Sequence, residues 1–205
     1  MARSTALEQL RRIGTELEGI DLDCYGRHGR DPHEPVLGLG RADAPWCFFG
    51  RDPGEQEVRL QRPFVGGAGQ KIRAVMAEVG LGEEDVYWMN TVPFKPVGNK
   101  PWSMDVRRRC RPPLLELLAG WRGAPVIAFG EAAFKWFGMG SAEGRSIVDR
   151  FWRRQDKFEA RCPIELALGG EVRRFVLLPV PHPSGANAVW AGRFAGLLRG
   201  RLARP

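Results

Sequence analysis

The 205-residue sequence predicts an α/β protein, a three-layer α/β/α sandwich built on a central four-stranded, mostly parallel sheet. Three observations carry this reading. Four short apolar runs, each ending at a polar or glycine residue, have the length and composition of buried strands. Stretches with apolar residues at helical spacing separate them. The strands follow one another through single helical crossovers, and crossovers of that kind make parallel neighbours.

The elements follow in order. Leu7, Leu10, Ile13 and Leu17 mark a first helix over residues 4–18. Residues 19–45 are rich in Gly, Pro and Asp and predict a long surface-wrapping segment, with an extended piece at Val36–Leu39. The first strand is Trp46–Phe49, and it stops at Gly50. A polar loop, Arg51 to Glu57, leads to Pro63-Phe64-Val65, read as exposed within a glycine-rich stretch. The next helix covers 68–79, with Ile72, Val75, Met76 and Val79 on one face and Gly80 as its stop. The second strand, Val86–Met89, ends at Asn90 and enters an irregular loop, TVPFKPVGNKPWS. A helix over 103–119 is expected to kink or break at Pro112-Pro113. The third strand, Val126–Phe129, ends at Gly130, and a short helix over 131–137 follows. Residues 138–170 read as irregular, with a strand around Phe158–Arg161. The last strand, Phe175–Pro179, runs into Pro181-His182-Pro183-Ser184-Gly185, and a final helix covers 188–202. No repeat or boundary divides the chain, so residues 1–205 are read as one domain.

Composition narrows the class of function. No apolar run approaches the roughly 20 residues of a membrane helix, and the N-terminus lacks a signal-peptide core. The expectation is a cytoplasmic protein, a monomer, with no membrane partner. The net charge of +7, with arginine clusters at 107–111 and 193–204, is compatible with a polyanionic partner. Cysteines stand at 24, 47, 110 and 162 with no C-x-x-C pair, and no disulfide framework is indicated. No G-x-G-x-x-G follows the first strand, which argues against a dinucleotide site.

The strand ends carry the chemistry. In a parallel sheet, ligands bind outside the carboxyl ends of the strands. Asp52 follows the first strand, Asn90 closes the second and His182 follows the fourth. An acid, an amide and an imidazole therefore converge on one edge, with Phe64 as a candidate wall. Taken singly, Asp52 reads as a loop acid, Asn90 as a cap and His182 as a loop histidine; their shared edge argues for a site.

These residues are similar to the uracil-DNA glycosylase superfamily. The resemblance rests on Gly50-Arg51-Asp52-Pro53-Gly54, Arg62-Pro63-Phe64-Val65-Gly66, Asn90 and His182-Pro183-Ser184, in that order, and it spans the chain from about Val36 to the C-terminal helix. The Pro-Phe-Val-Gly stretch resembles family 4 enzymes. The Asp-Pro and His-Pro-Ser motifs resemble family 1. The resemblance implies a monofunctional glycosylase that excises uracil from single- or double-stranded DNA by base flipping. Phe64 would stack on the base, and Asn90 would read its Watson-Crick edge. His182 would stabilise the leaving uracil, and Asp52 would orient water. Gly50, Arg51, Gly54 and Glu57 would shape the substrate pocket. Backbone amides from Gly66 through Gly69 to Gln70 would hold DNA phosphates, as would Ser103, Ser184 and Asn187.

The departures are equally specific. Family 4 enzymes carry an iron–sulfur cluster on four cysteines. Only Cys24 and Cys110 fall at such positions here, the neighbourhood of Phe94 replaces a third, and His28 is a remote substitute ligand. No cluster, and no other cofactor, is expected. The tyrosine that excludes thymine in family 1 is Gly54 here, so exclusion would fall to Glu57 or Gln56. Arg51 stands where Gln or Glu is usual. The intercalating wedge, expected after Ser184, is not identifiable in residues 185–190. The alternatives are a glycosylase for other deaminated bases, hypoxanthine or xanthine, and a DNA-binding relative without catalysis.

Overall fold

The structure, a computed structural model, describes residues 2–183, 190 and 192–203. Its centre is a five-stranded sheet in the order β2-β1-β3-β5-β4. The strands are β1 (Trp46–Gly50), β2 (Val86–Asn90), β3 (Pro125–Phe129), β4 (Cys162–Leu168) and β5 (Glu171–Val180). The first, second, third and fifth run parallel. The expected four strands become five because β4 adds an antiparallel edge to β5. Gly169 and Gly170, both at positive φ, join the two as a two-residue hairpin.

Residue alternation along the strands builds the three layers. Cys47, Phe49, Tyr87, Met89, Val126 and Ala128 face one core. Trp46, Phe48, Val86, Trp88, Ile127 and Phe129 face the other. The first face is covered by α1 (Ala2–Glu16), α5 (Met104–Ala119), α6 (Glu131–Trp136) and α7 (Ala142–Trp152). The second is covered by α4 (Gly67–Glu78) and α8 (Phe194–Leu202). Two short helices, α2 (Leu22–Arg27) and α3 (Glu55–Leu60), complete the described set. Phe48 and Phe49 are fully buried on opposite faces, and each such side chain contributes roughly 1.5–3 kcal/mol of transfer free energy.

Four local expectations change. The helix containing Pro112 and Pro113 is not broken; α5 runs through both. Residues 138–170 are not irregular, because they contain α7 and β4. The Phe158–Arg161 segment is a turn rather than a strand. Its backbone carbonyls serve another purpose: the buried Arg201 guanidinium donates to the carbonyls of Lys157, Glu159 and Ala160, at 3.1, 2.9 and 2.8 Å. The helix expected over 188–202 is described from Phe194 onward.

Arg201 thus pins that turn to the end of β5, where it also reaches Pro179 O at 3.4 Å. Burial lowers its pKa to about 10, so it stays charged at neutral pH. Arg201→Met removes these charge-assisted bonds and strands several carbonyls. The expected cost is at least about 1.5–3 kcal/mol, read as a lower urea midpoint with unchanged slope.

Candidate active site

The parallel register brings the strand-end residues together. Gly50 pairs directly with Asn90 across β1 and β2. The ladder then continues beyond both strands: Thr91 N donates to Gly50 O at 3.0 Å and Val92 N to Arg51 O at 3.1 Å. That zipper fixes the backbone that presents Asp52. His182 follows two residues after β5, and Gly130 N holds Val180 O at 2.9 Å. Asp52, Asn90 and His182 therefore lie at the carboxyl edge, lining one cavity of about 260 Å³ with Arg51, Gly54, Glu57, Phe64 and Gly66.

Phe64 is buried, not exposed as the sequence suggested. Only 8% of it is accessible, and its ring packs 5.3 Å from Trp88 and 5.5 Å from Phe129, centroid to centroid. Its backbone sits at φ +56°, a left-handed conformation unusual for an aromatic residue. Neighbours enforce this. Arg73 donates to Phe64 O and lays its guanidinium over Trp88, 4.7 Å from the ring centroid. Gly69 packs so closely that a β-carbon there would fall 1.5 Å from Phe64 O. Gly50 is similarly constrained, because its β-carbon would meet Asn90 Oδ1 and the Phe64 ring tip, each at 2.5 Å. Gly50 and Gly69 thus leave the space in which Phe64 seats against the site.

Glu57 has a bracing role. One carboxylate oxygen accepts Gly54 N at 3.0 Å and the other accepts Gly66 N at 2.6 Å. A single buried side chain ties the loop after β1 to the start of α4. Its oxygen also stands 2.8 Å from where a Gly54 β-carbon would lie, so the pocket wall there is carboxylate backed by glycine.

Electrostatics separate the two candidate catalytic groups. The Asp52 side chain is only 4% exposed. Burial raises its pKa above the ordinary aspartate value, while the Arg51 guanidinium opposes that shift. Burial, aided by the Arg51 charge, lowers His182 to about 4. At neutral pH the imidazole is neutral, while burial and the Arg51 guanidinium act in opposite directions on the Asp52 carboxylate. Two titratable groups with distinct environments are the usual signature of an acid–base or ion-stabilising site.

The predicted phosphate contacts divide. Gly66 N is committed to Glu57, and Gln70 N to Gly66 O at 2.9 Å. Gly69 serves the approach of Phe64. Ser103 caps α5, its Oγ accepting Val106 N at 3.2 Å, and it does not line the cavity. Ser184, Asn187 and the wedge segment 185–189 lie outside the described residues. Trp190, at the end of that stretch, packs 4.8 Å from Phe158. Pro53, Gly67, Ala68 and Asn99 also line the cavity, beyond the residues expected to shape it. Gly67 and Ala68 open α4, a position legible from the glycine run. Asn99 is placed by its left-handed backbone, φ +55°, and no sequence signal marked it.

The family pattern described as the uracil DNA glycosylase superfamily matches residues 37–200. This chain belongs to the uracil-DNA glycosylase superfamily. It is similar to the type-4 uracil-DNA glycosylase of Thermotoga maritima, 33% identical over 102 residues, 50% of this chain and 53% of the relative. It is also similar to the type-4 enzyme of Archaeoglobus fulgidus, 32% identical over 98 residues, 48% of this chain and 49% of that one. A match to the type-4 enzyme of Sulfurisphaera tokodaii is 36% identical over 158 residues, 74% of this chain and 64% of that one. The matches span about half the length of the first two relatives.

Membership of the superfamily raises the question of an iron–sulfur cluster. A Cys₄ cubane needs four thiolates. Cys24 and Cys110 are buried, and burial pushes both thiols up, Cys110 to about 12. The residue three before Cys24 is Asp21, and its carboxylate accepts Lys95 Nζ at 2.7 Å and Cys24 N at 3.1 Å. Lys95 follows the fully buried Phe94. An ammonium–carboxylate pair therefore occupies the ground between the Cys24 helix and the loop after β2. The residues present do not fit a Cys₄ cluster. Cys24, His28 and Glu55 do bring ligand atoms within 4.8 Å of one another. Arg27 and His28 share Glu55, however, and the Lys95 charge reaches Cys24. That cationic surround disfavours a divalent ion. Protein purified without chelator is expected to show neither stoichiometric iron nor acid-labile sulfide, and no visible absorption from a cluster.

Proposed function

We propose that this protein is a monofunctional uracil-DNA glycosylase, working as a monomer, without metal or redox cofactor, on DNA in the cytoplasm. The observation that carries the reading is the convergence of Asp52, Asn90, His182 and Phe64 on one cavity at the sheet's carboxyl edge. None of the described helices is long and apolar enough to cross a membrane.

The chemistry follows from the groups present. Uracil enters flipped out of the helix, at a cost of a few kcal/mol, and lies against Phe64. The Asn90 amide donates to uracil O4 and accepts from N3–H; cytosine reverses that pattern and leaves buried polar groups unpaired. As the N1–C1′ bond breaks, its electrons pass to the base. The neutral His182 imidazole donates to O2, where negative charge collects. Water held by Asp52 bonds to C1′ and gives up its proton toward the carboxylate. The products are free uracil and an abasic sugar, and no covalent enzyme intermediate is required.

Gly54 favours a second specificity. With no side chain at that wall, the thymine methyl meets glycine and the Glu57 carboxylate instead of a ring. A panel of oligonucleotides carrying uracil, thymine, hypoxanthine or xanthine tests both readings. Release of uracil well above the others supports the first. Comparable release of another deaminated base assigns the broader activity. Salt-sensitive DNA binding with no base released from any substrate supports a non-catalytic relative.

A further inference from the structure

We infer that Arg51 is a positioning residue, gripping the Asp52 carboxylate through both oxygens and setting the charge balance of the pocket. The inference rests on the glycosylase reading but gives Arg51, expected only to shape the pocket, a role toward the carboxylate.

The geometry is specific. Arg51 Nε donates to Asp52 Oδ1 at 2.6 Å and Nη2 to Oδ2 at 3.1 Å. The same Nη2 reaches Asn99 O at 3.0 Å. The guanidinium is therefore fixed on both sides, by the acid it serves and by the loop across the cavity. A planar fork suits a carboxylate in this way; a lysine offers only a point charge. Neighbouring charged residues on a surface often pair without consequence. Here the carboxylate is almost wholly buried, with 4% of its side chain exposed against 32% for Arg51. An ionised carboxylate that deep is costly unless paired.

The backbone of Arg51 is held independently of its side chain. Its carbonyl accepts Val92 N at 3.1 Å and the Thr91 hydroxyl. Shortening the side chain leaves that anchoring in place, so an effect on the carboxylate can be separated from an effect on folding.

Three consequences follow. First, Arg51 lowers the Asp52 pKa against the larger, opposite effect of burial; the charges of Arg107 and Lys95 act in the same direction as Arg51 with smaller effect. Second, Arg51 is the charged group that acts on His182, and it disfavours the imidazolium. Third, the grip occupies one side of the carboxylate and fixes the direction in which its remaining lone pairs meet water.

The test compares wild type, Arg51→Gln and Arg51→Lys. Single-turnover uracil release is followed across acid and neutral pH, and the Asp52 carboxyl is titrated by carbon NMR, its resonance assigned with Asp52→Asn. The expected result is an acid limb and an Asp52 titration that both move up by at least about one pH unit in Arg51→Gln. Arg51→Lys should retain most of the wild-type limb but at a reduced rate. An unchanged limb and titration in Arg51→Gln, with a uniform fall in rate, would overturn the inference and leave Arg51 a DNA-binding or structural residue. If the wild type releases no base, the glycosylase reading fails, and the NMR titration alone still decides whether Arg51 governs Asp52.

Discussion

Asp52→Asn lowers the single-turnover rate of uracil release by about 10²–10⁴-fold, the range of a positioned general base. Asparagine keeps the shape of the side chain and loses its charge. It cannot take a proton from water or offset a cationic sugar. Arg51 also loses its ionic partner, so the variant carries an uncompensated cation in the pocket. The wild type should show an acid limb above the ordinary aspartate range, because burial raises Asp52 despite Arg51. The sign is fixed: activity needs the ionised form and falls as pH drops through the raised value. Asp52→Asn should lack that limb. Thermal unfolding of the two proteins distinguishes lost chemistry from lost fold. A rate within threefold of wild type would remove Asp52 from the mechanism.

His182→Ala has the next largest effect, about 10²–10³-fold, typical of losing one donor to a developing oxyanion. The folded-state value of about 4 makes a second prediction. The imidazole is neutral from acid pH upward, so wild-type release should show no inflection near 6.5, where a free histidine titrates. The stability sign is equally clear. The unfolded chain takes up the proton near 6.5 and the folded one near 4, so this group's contribution is full above 6.5 and is lost as pH falls from 6.5 toward 4. The double variant should lose less than the product of the single losses, because both residues act on one bond cleavage. An inflection near 6.5 that disappears in His182→Ala would show instead that the imidazole works in its protonated form.

The parallel core was legible because its signals are local. Trp46–Phe49, Val86–Met89 and Val126–Phe129 are apolar runs that end at turn residues, and each became a strand. The antiparallel edge differs from the expected strand at Phe158–Arg161: β4 begins four residues later, with buried and exposed residues alternating from Cys162 to Leu168 and the Gly169-Gly170 pair closing its hairpin, while the expected strand is a turn whose carbonyls bind Arg201. No local pattern reveals a carbonyl cluster serving an arginine some forty residues away.

The site followed the same rule. That Asp52, Asn90 and His182 share one edge is legible because strand ends in a parallel sheet lie together. Phe64 was assigned to the pocket but misread as exposed. Its burial depends on Arg73, Gly69 and Trp88, which meet only in the folded chain. Glu57 lines the cavity as expected of a residue near the base, but the tie its two oxygens make between Gly54 and Gly66 is not visible in the sequence. The ion pair of Asp21 with Lys95 joins residues 74 positions apart, and neither residue alone suggested it.

Monofunctional uracil excision is tested most directly by the products formed from an oligonucleotide containing one uracil. Free uracil is measured by chromatography, and the DNA is analysed before and after alkali, with borohydride present in a parallel reaction. The expected result is stoichiometric uracil, strand cleavage only after alkali, and no borohydride-trapped adduct. No uracil release, or a trapped covalent adduct with cleavage before alkali, would contradict it.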